Sequence, residues 1–337
     1  MRGYLVCRKS VICLGVGLLA CGAANAQYAA DFEPPTFTGS ADGVDIWGQD
    51  AFYNPAPAGS ETITAYVYTY ANNVLGIPDN PVGGGEQFVA GTGPGGGTYS
   101  RAQRDINWGT GIVVVTYDVL CAYEGDPNST ANNIGSFSVQ PYPGTPVAAN
   151  YIHLFSWVSA GAGNTWQALY MMYNAAGAAD PQPGRIAGPE WVDLELYTWY
   201  RCTTTIDWDI NQVIEVSIIN LDTGAGATVD TSADGWYLGG GAEGGAVPTG
   251  FRFFAGGGVP GNTVAWDNTS IGPAAEPCPG DVDGDGDTDL SDLGLLLAAY
   301  GSSVGDPNYN PAADFEPDGD VDLTDLAFLL SAYGCAP

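Results

Sequence analysis

Short apolar runs separated by turn residues dominate the chain from residue 31 to about residue 271. Val, Ile, Tyr, Thr and Trp are concentrated in runs such as "ETITAYVYTYA", "TGIVVVTYDVLCAY" and "QVIEVSIINL", and clusters of Gly, Pro, Asn and Asp separate these runs. The runs do not show the apolar repeat of an amphipathic helix. The pattern therefore predicts an all-β domain over residues 31–271 that folds as a sandwich or barrel.

The C-terminal part of the chain follows a different pattern, in which acidic loops alternate with apolar helices. The Pro-rich stretch "IGPAAEPCPG" predicts a linker over residues 272–279, followed by a second domain over residues 280–337. The segments "SDLGLLLAAYG" and "TDLAFLLSAYG" align residue for residue 33 positions apart. Each places Ser or Thr before an acid, which is a helix start signal, and ends in Gly, which is a stop signal.

Each predicted helix follows a loop that carries acids at positions 1, 3, 5, 7, 9 and 12. These acids are Asp281, Asp283, Asp285, Asp287, Asp289 and Asp292 in the first loop, and Asp314, Glu316, Asp318, Asp320, Asp322 and Asp325 in the second. Gly286 and Gly319 occupy position 6, where a calcium loop turns sharply. Because Ca²⁺ takes six to eight oxygen ligands from these positions, the pattern predicts two calcium ions. A solvated acidic tail does not explain the repetition.

Two details refine this prediction. At position 7 the backbone carbonyl is the ligand, so the side chains of Asp287 and Asp320 are expected to face solvent. In the second loop Glu316 replaces the shorter acid at position 3 and Pro317 follows it, so the second site is expected to be the weaker one.

Residues 280–334 resemble a type I dockerin, a tandem pair of loop-helix calcium units with approximate two-fold symmetry. The resemblance implies that this domain docks onto a cohesin module of a scaffold protein, and dockerins are commonly appended to polysaccharide-degrading enzymes. The family usually carries Ser or Thr pairs at loop positions 10 and 11 for partner contact. Here Leu290, Ser291, Leu323 and Thr324 occupy these positions, and the helices carry no Lys or Arg. These differences mean that the resemblance does not imply a standard cohesin as the partner. The expected partner is a cohesin-like or other scaffold protein.

The N-terminus predicts an exported protein. Basic residues precede the apolar run "VICLGVGLLACGAA", and "ANA" before Gln27 is a small-residue cleavage site, so residues 1–26 are predicted to be a signal peptide. No later apolar run is long enough to anchor the chain in a membrane. We expect a secreted or cell-surface protein, and a lipoprotein processed at Cys21 is the alternative.

The charge balance excludes several classes of function. Without residues 1–26 the chain keeps five arginines and no lysine against 38 acids, a formal charge of 5 − 38 = −33. Such a chain lacks the cationic patch that phosphate binding needs, so no nucleic-acid partner is expected, and divalent cations are attracted instead. Lysine-based catalysis and a Walker-type phosphate loop are excluded because the residue is absent.

Four cysteines remain in the mature chain, and an even number in an exported protein favours disulfides. We predict the pairs Cys121–Cys202 and Cys278–Cys335, because each pair then stays within one domain. The second pair brackets the small acidic domain and would stabilise a module with a thin core.

The stretch "PEWVDLELYTWY" holds the weak candidates for catalysis. Retaining glycosidases place two carboxylates about 5 Å apart. On a strand Asp193 and Glu195 share a face, whereas Glu190 points to the opposite one. The face that holds Trp191, Asp193, Glu195, Tyr197 and Trp199 can equally be a sugar-stacking surface or a solvated strand face. A non-catalytic domain is favoured, and an enzyme would be a glycoside hydrolase acting on O-glycosyl bonds.

Other candidates carry less information. His153 is the only histidine, and no triad motif accompanies it. Trp108, Trp166, Trp208 and Trp236 lie near predicted turns and are expected to be the exposed aromatic platforms.

The stretches "YTWYRCTTTIDWDINQVIEVSIINLDTG" and "GNTVAWDNTSI" resemble the concanavalin A-like or laminin-G-like jelly roll. This resemblance implies a mainly β protein, with a two-sheet jelly-roll sandwich that binds carbohydrate and in which Asp267 and Asn268 are structural. A small all-α pair of calcium loop-helix units follows it. The expected function is calcium-dependent assembly by the C-terminal domain and carbohydrate binding by the sandwich. The alternative is a secreted glycoside hydrolase or polysaccharide lyase.

Overall fold

The computed structural model describes residues 28–55, 62–82, 85–93, 99–123, 134–140, 150–157, 165–170, 172–177, 193–244, 248–256, 261–274, 278–284 and 286–335. The chain divides after Ala274 into two compact units. Within the described residues, no helix is long and apolar enough to cross a membrane. The predicted signal peptide and Cys21 lie outside the described residues.

The first unit is built from β-strands. Within the described residues these are β1 Tyr28–Ala30, β2 Val44–Asp45, β3 Thr62–Ile63, β4 Tyr66–Thr69, β5 Gln87–Gly93, β6 Tyr99–Asp105, β7 Ile112–Tyr123, β8 Gly135–Gln140, β9 Asn150–Trp157, β10 Thr165–Leu169, β11 Leu194–Glu195, β12 Tyr200–Asp207, β13 Gln212–Asn220, β14 Gly226–Asp230, β15 Gly250–Ala255 and β16 Asn262–Pro273. β1 precedes residue 31, the predicted start of the domain, and pairs with β16 near the end of the unit.

The strands form two sheets. The first sheet has the order β14-β13-β12-β7-β16-β5-β4-β2, and the second has the order β11-β10-β9-β8-β15-β6-β3. Aromatic rings of the two sheets meet in the interior. The ring of Tyr117 on β7 lies 4.5 Å from that of Phe137 on β8, and the ring of Trp266 on β16 lies 4.8 Å from that of Phe253 on β15. The predicted mainly β, two-layer sandwich is therefore confirmed.

Strict alternation along the strands determines which side chains fill this interior. On β12 Tyr200, Cys202, Thr204 and Ile206 are buried, and the residues between them are partly exposed on the outward face. Successive side chains of a strand point to opposite faces, so each strand contributes every second residue to the core. Burial of one large apolar side chain contributes about 1.5–3 kcal/mol, and the alternation places Arg201 on the outward face.

The second unit contains two helices of equal length, α1 (Leu290–Ala299) and α2 (Leu323–Ala332), with a short 3₁₀ turn at Pro311–Ala313. Its small core consists of Val282, Leu296, Ala299, Ala313, Val321 and Leu329. A disulfide joins Cys278 to Cys335 across 5.7 Å between Cα atoms, which confirms that predicted pair. The bond ties the start of the unit to its end.

The predicted bond between Cys121 and Cys202 is wrong, because both cysteines are buried and neither forms a disulfide. The register of β12 against β7 places Cys202 opposite Tyr117, four residues before Cys121. At about 3.3 Å per residue this separates the two cysteines by roughly 13 Å along the strand. A disulfide needs Cα atoms about 4.4–6.8 Å apart. Burial raises the pKa of both thiols.

Candidate functional site

The acids at positions 9 and 12 of each loop cap the helix that follows. The Asp289 carboxylate accepts a hydrogen bond from the backbone N–H of Ser291 at 2.6 Å, and Asp292 accepts one from the backbone N–H of Asp289 at 2.8 Å. Asp322 and Asp325 repeat both bonds around α2. The helices therefore begin as predicted, but the capping residue is the acid at position 9 rather than the Ser or Thr at position 11.

The acid at position 1 of each loop organises the sharp turn. Asp281 accepts hydrogen bonds from the backbone N–H groups of Gly284 at 2.6 Å and Gly286 at 3.0 Å. Asp314 accepts one from Gly319 at 3.0 Å. The two position-6 glycines have φ of 100° and 96°, in the left-handed region that favours glycine. The predicted role of glycine at position 6 is confirmed.

The loop acids are grouped closely enough to hold a metal ion. Within each group the carboxylate oxygens lie within 4.8 Å of one another, and the groups are Asp281, Asp283 and Asp292; Asp287, Asp289 and Asp292; and Glu316, Asp322 and Asp325. Position 12 belongs to every group and is fully buried in both loops. The side chain of Asp287 joins a group, which corrects the expectation that it faces solvent. Asp285 lies outside the described residues.

Hydrogen bonds and like charges act on these carboxyl groups in opposite directions. Burial acts to raise the pKa of Asp292, but three backbone N–H groups that donate to its carboxylate outweigh it and hold the pKa below the ordinary value. The charge of Asp318 raises the pKa of Asp320. Burial, and then the hydrogen bond to Asp325, raise the pKa of Glu316. In the second loop the surroundings of Asp320 and Glu316 therefore disfavour the charged form of both carboxyl groups.

The two loop-helix units are paired to each other in a symmetric way. The backbone carbonyl of Thr288, at position 8 of the first loop, accepts a hydrogen bond at 2.8 Å from the backbone N–H of Gly334, just after α2. The backbone carbonyl of Val321, at the same position of the second loop, accepts one at 2.7 Å from the backbone N–H of Gly301, just after α1. Each loop is thus anchored to the end of the other helix. Sequence reasoning missed a further contact, the hydroxyl of Tyr309, which donates to Asp314 at 2.6 Å.

The predicted partner-contact positions lie at the surface. Leu290 and Leu323 are 69% and 66% exposed, and Ser291 and Thr324 are exposed beside them. Further along the helices, exposed apolar residues recur at equivalent positions of the two repeats. They are Leu295 and Phe328, Leu297 and Leu330, and Tyr300 and Tyr333. The two helices therefore expose equivalent apolar residues, which are spread around each helix because residues two apart point to different sides.

The weak catalytic candidates lie at the edge of the second sheet. Glu195 is the last residue of β11 and Asp193 directly precedes the strand, and both are exposed. Glu190 and Trp191 lie outside the described residues. The predicted continuous strand face ends at Tyr197, which has a left-handed φ of 58° and turns the chain. Trp199 is consequently buried on the outward side of the first sheet, where its indole N–H donates to the carbonyl of Pro78 at 2.9 Å.

The expectation about exposed tryptophans is wrong for Trp108 and Trp166, which are fully buried in the core. Trp208 and Trp236 are partly buried against the same core. Trp47, which the sequence did not single out, is 62% exposed. A position near a turn did not predict an exposed tryptophan, because side chains near the ends of strands are also buried between the sheets. His153 lies on β9, and its side chain is outside the described part of the chain.

A buried polar network lies on the outward side of the first sheet, and sequence reasoning did not predict that its residues come together. Asp118 on β7 accepts two hydrogen bonds from the Arg201 guanidinium, at 2.8 and 2.9 Å. Asp267 on β16 lies opposite it and accepts from the Tyr70 hydroxyl at 2.7 Å. Asn80 donates to both carboxylates. The structural role expected for Asp267 agrees with these contacts.

Asn268 completes the network at an irregularity in β16. Its side-chain N–H group donates to Asp118 at 2.8 Å, and its own backbone has a left-handed φ of 44°. The register of β16 against β7 shifts between Asp267 and Ser270. Burial is the largest cause that raises the pKa of Asp267, to about 7, and the charge of Asp118 adds to it, whereas the hydrogen bonds oppose it.

Comparison with known proteins finds solved structures with a similar fold but assigns the chain to no family. No protein-family model matches the sequence, and no curated protein matches it. Among solved structures, a PL-14 alginate lyase from Aplysia kurodai overlaps 74% of this chain and 99% of its own, with 12% identity and a TM-score of 0.40. A GH131 β-glucanase catalytic domain from Podospora anserina overlaps 75% of this chain and 97% of its own, with 12% identity and a TM-score of 0.40.

A third similar structure is an endo-1,3-β-glucanase from Streptomyces sioyaensis, with coverage of 73% of this chain and 95% of its own, 12% identity and a TM-score of 0.36. At these identities and TM-scores the overlaps assign no activity to this chain. The sandwich architecture rests on its own strand pairing.

Proposed function

We propose that the C-terminal unit binds two calcium ions, one in each acidic loop. The observation that carries this proposal is the repetition of one geometry in both loops. In each loop the buried acid at position 12 lies within 4.8 Å of acids from positions 3 and 9, which form two separate groups around Asp292 and one group around Asp325. A hard divalent cation takes oxygen ligands of this kind. Bound calcium would supply the positive charge that offsets the mutual repulsion of these carboxylates.

The protein's own residues contribute order around the ions. The same acids that face the cation also cap α1 and α2, so holding the acids in place also holds the helix N-termini. The cross-pairing of Thr288 and Val321 with the opposite helix ends couples the two sites. We infer that the loaded unit presents the exposed apolar residues at the two helix starts, Leu290 and Leu323, to a cohesin-like or other scaffold protein.

For the sandwich we propose interaction with polysaccharide. Two candidates remain, a non-catalytic carbohydrate-binding domain and a glycoside hydrolase or polysaccharide lyase. The structures compared above are described as polysaccharide-degrading enzymes, which is the second candidate, but their TM-scores carry neither activity nor residues to this chain. With the predicted signal peptide, the proposal is an exported protein that acts at extracellular polysaccharide.

Isothermal titration of the calcium-free full chain tests the metal proposal. We expect two calcium ions to bind with a gain in helicity by circular dichroism. Asp281→Ala and Asp314→Ala should each lose one ion, because each removes the position-1 acid of one loop. Asp222→Ala, an exposed acid of the sandwich, is the control and should keep both. If calcium gave neither heat nor helicity, the metal proposal and the assembly role would both be wrong.

A panel of polysaccharides separates the two candidates for the sandwich. Release of reducing ends indicates a hydrolase, and release of unsaturated products indicates a lyase. Retention of the full chain on a polysaccharide without turnover indicates a binding domain. Absence of both retention and turnover on every polymer would overturn the polysaccharide proposal.

A further inference from the structure

The acids at position 1 of the two loops differ in the hydrogen bonds that they accept. Asp281 accepts one backbone N–H on each carboxylate oxygen, at 2.6 and 3.0 Å. Asp314 also accepts one on each oxygen, at 3.2 Å on Oδ1 and 3.0 Å on Oδ2, and its Oδ2 accepts a further bond from the Tyr309 hydroxyl at 2.6 Å. The position equivalent to Tyr309 in the first repeat, 33 residues earlier, is Glu276. The tyrosine donor therefore belongs to the second repeat alone.

Tyr309 lies between α1 and the second loop, in a segment that is fixed on both sides of it. The side chain of Asn308 donates to the carbonyl of Ala298, near the end of α1, at 3.4 Å. Asn310 caps the short 3₁₀ turn that follows. The Tyr309 ring itself is partly buried against the core of the unit. The packing of the unit therefore places the hydroxyl beside Asp314.

The hydroxyl acts on one oxygen of Asp314 and leaves the other available to a cation. An ionised carboxylate only accepts hydrogen bonds, so Tyr309 is the donor. Oδ2 accepts two of the three hydrogen bonds, whereas Oδ1 accepts only the longest one. Asp314 is partly exposed and its neighbours Pro317 and Asp318 are exposed, so the loop is open to ions from solvent.

The second loop depends more than the first on an outside contact that orients its position-1 acid. In the first loop Asp281 belongs to one of the groups of acids that could hold a metal ion. The described acids of the second loop form such a group without Asp314, and its members are Glu316, Asp322 and Asp325. Hydrogen bonds from residues behind the ligands are the usual means by which a protein orients a metal ligand.

We infer that Tyr309 is a positioning residue, which orients Asp314 and raises the calcium affinity of the second loop but not that of the first. This inference rests on the proposed calcium function and adds a residue that tunes one of the two sites. A carboxylate that is fixed before the ion arrives loses less conformational freedom on binding. The hydroxyl thus offsets part of the weaker binding that Glu316 and Pro317 lead us to expect in the second loop.

Calcium titration of the full chain with Asp281→Ala, in which the second loop alone is expected to bind, tests this inference. Tyr309→Phe keeps the ring and removes only the hydroxyl. We expect it to weaken calcium binding about tenfold, at the lower end of the loss that follows removal of such hydrogen bonds. Tyr300→Phe removes a hydroxyl from a tyrosine of the same unit that is 45% exposed, and should leave the affinity unchanged. In the parent chain, Tyr309→Phe should weaken the binding of one ion and leave the other as before.

The chain with Asp314→Ala separates a positioning role from a structural one. In that chain Tyr309 has no carboxylate to orient, so Tyr309→Phe should leave the calcium affinity of the first loop unchanged. Retained binding by the first loop also shows that the unit still folds. A loss of affinity as large as in the chain with Asp281→Ala would show that the substitution disturbs the whole unit, and would overturn the inference.

The remaining outcomes separate the inference from the proposed function. If the parent chain binds two ions and Tyr309→Phe leaves both affinities unchanged, the calcium function stands and the inference is wrong. Tighter binding by the second loop would also overturn it, because the hydroxyl would then hold Asp314 away from the ion. If the parent chain binds no calcium, the proposed function itself is wrong.

Discussion

Asp118 lies directly opposite Asp267 on the neighbouring strand, and both carboxyl groups are buried beneath the residues that bond to them. Arg201 donates two hydrogen bonds to Asp118, whereas Asp267 receives its hydrogen bonds from neutral donors. The cation therefore compensates one carboxylate of the pair directly. The other has a pKa raised to about 7, chiefly by burial.

This asymmetry predicts a pH dependence of stability. Between pH 4 and about 7 folded Asp267 keeps a proton that the unfolded chain has lost, so the free energy of unfolding falls as pH rises. The slope from this group is about 1.4 kcal/mol per pH unit. Asp267→Asn should remove it. Urea unfolding followed by tryptophan fluorescence measures the sandwich alone, since all tryptophans precede residue 275. Identical slopes for the variant and the parent chain would contradict the assignment.

Removal of the disulfide should destabilise only the C-terminal unit. Cys278 and Cys335 close a loop of 57 residues, and loop-closure entropy of that length corresponds to about 4 kcal/mol. The double serine variant should lose helicity at lower temperature, with unchanged tryptophan fluorescence of the sandwich. Alkylation of the denatured mature chain should label two thiols before reduction and four after it. Four labels before reduction would show that the bond is absent.

Two adjacent leucines of α1 should respond differently to truncation. Leu296 is fully buried and Leu297 is 53% exposed. Leu296→Ala leaves a cavity and should cost about 2–5 kcal/mol, whereas Leu297→Ala should change stability by less than about 0.5 kcal/mol. Thermal unfolding of the calcium-loaded chain by circular dichroism compares them. Equal losses would mean that the helix packs in a different orientation.

Two glycines of the first repeat should respond in opposite directions to substitution by alanine. Neither Gly286 nor Gly294 has a neighbouring atom within 4 Å of an added Cβ, so crowding plays no part. Gly286 has a left-handed φ of 100°, and alanine there should cost about 1–2 kcal/mol and weaken calcium binding. Gly294 lies inside α1, where alanine should stabilise the helix by about 1 kcal/mol. Calcium titration and thermal unfolding of both variants measure these effects. A stabilising Gly286→Ala would contradict the turn geometry.

The sequence alone determined the features that depend on local order. The positions of the loop acids, the glycine at position 6, both helices and the β-rich first domain follow from residue spacing, because neighbours along the chain form them. The bond between Cys278 and Cys335 was also predicted, since both residues bracket one small module.

The tertiary structure decided which distant residues meet. The register of β7 against β12 separates Cys121 from Cys202, and the left-handed turn at Tyr197 buries Trp199. The pairing of β6 with β15 brings Gln103 to Arg252, 149 residues away. Spacing along the chain cannot report such contacts, because a shift of one residue between paired strands moves every side chain to the other face of the sheet.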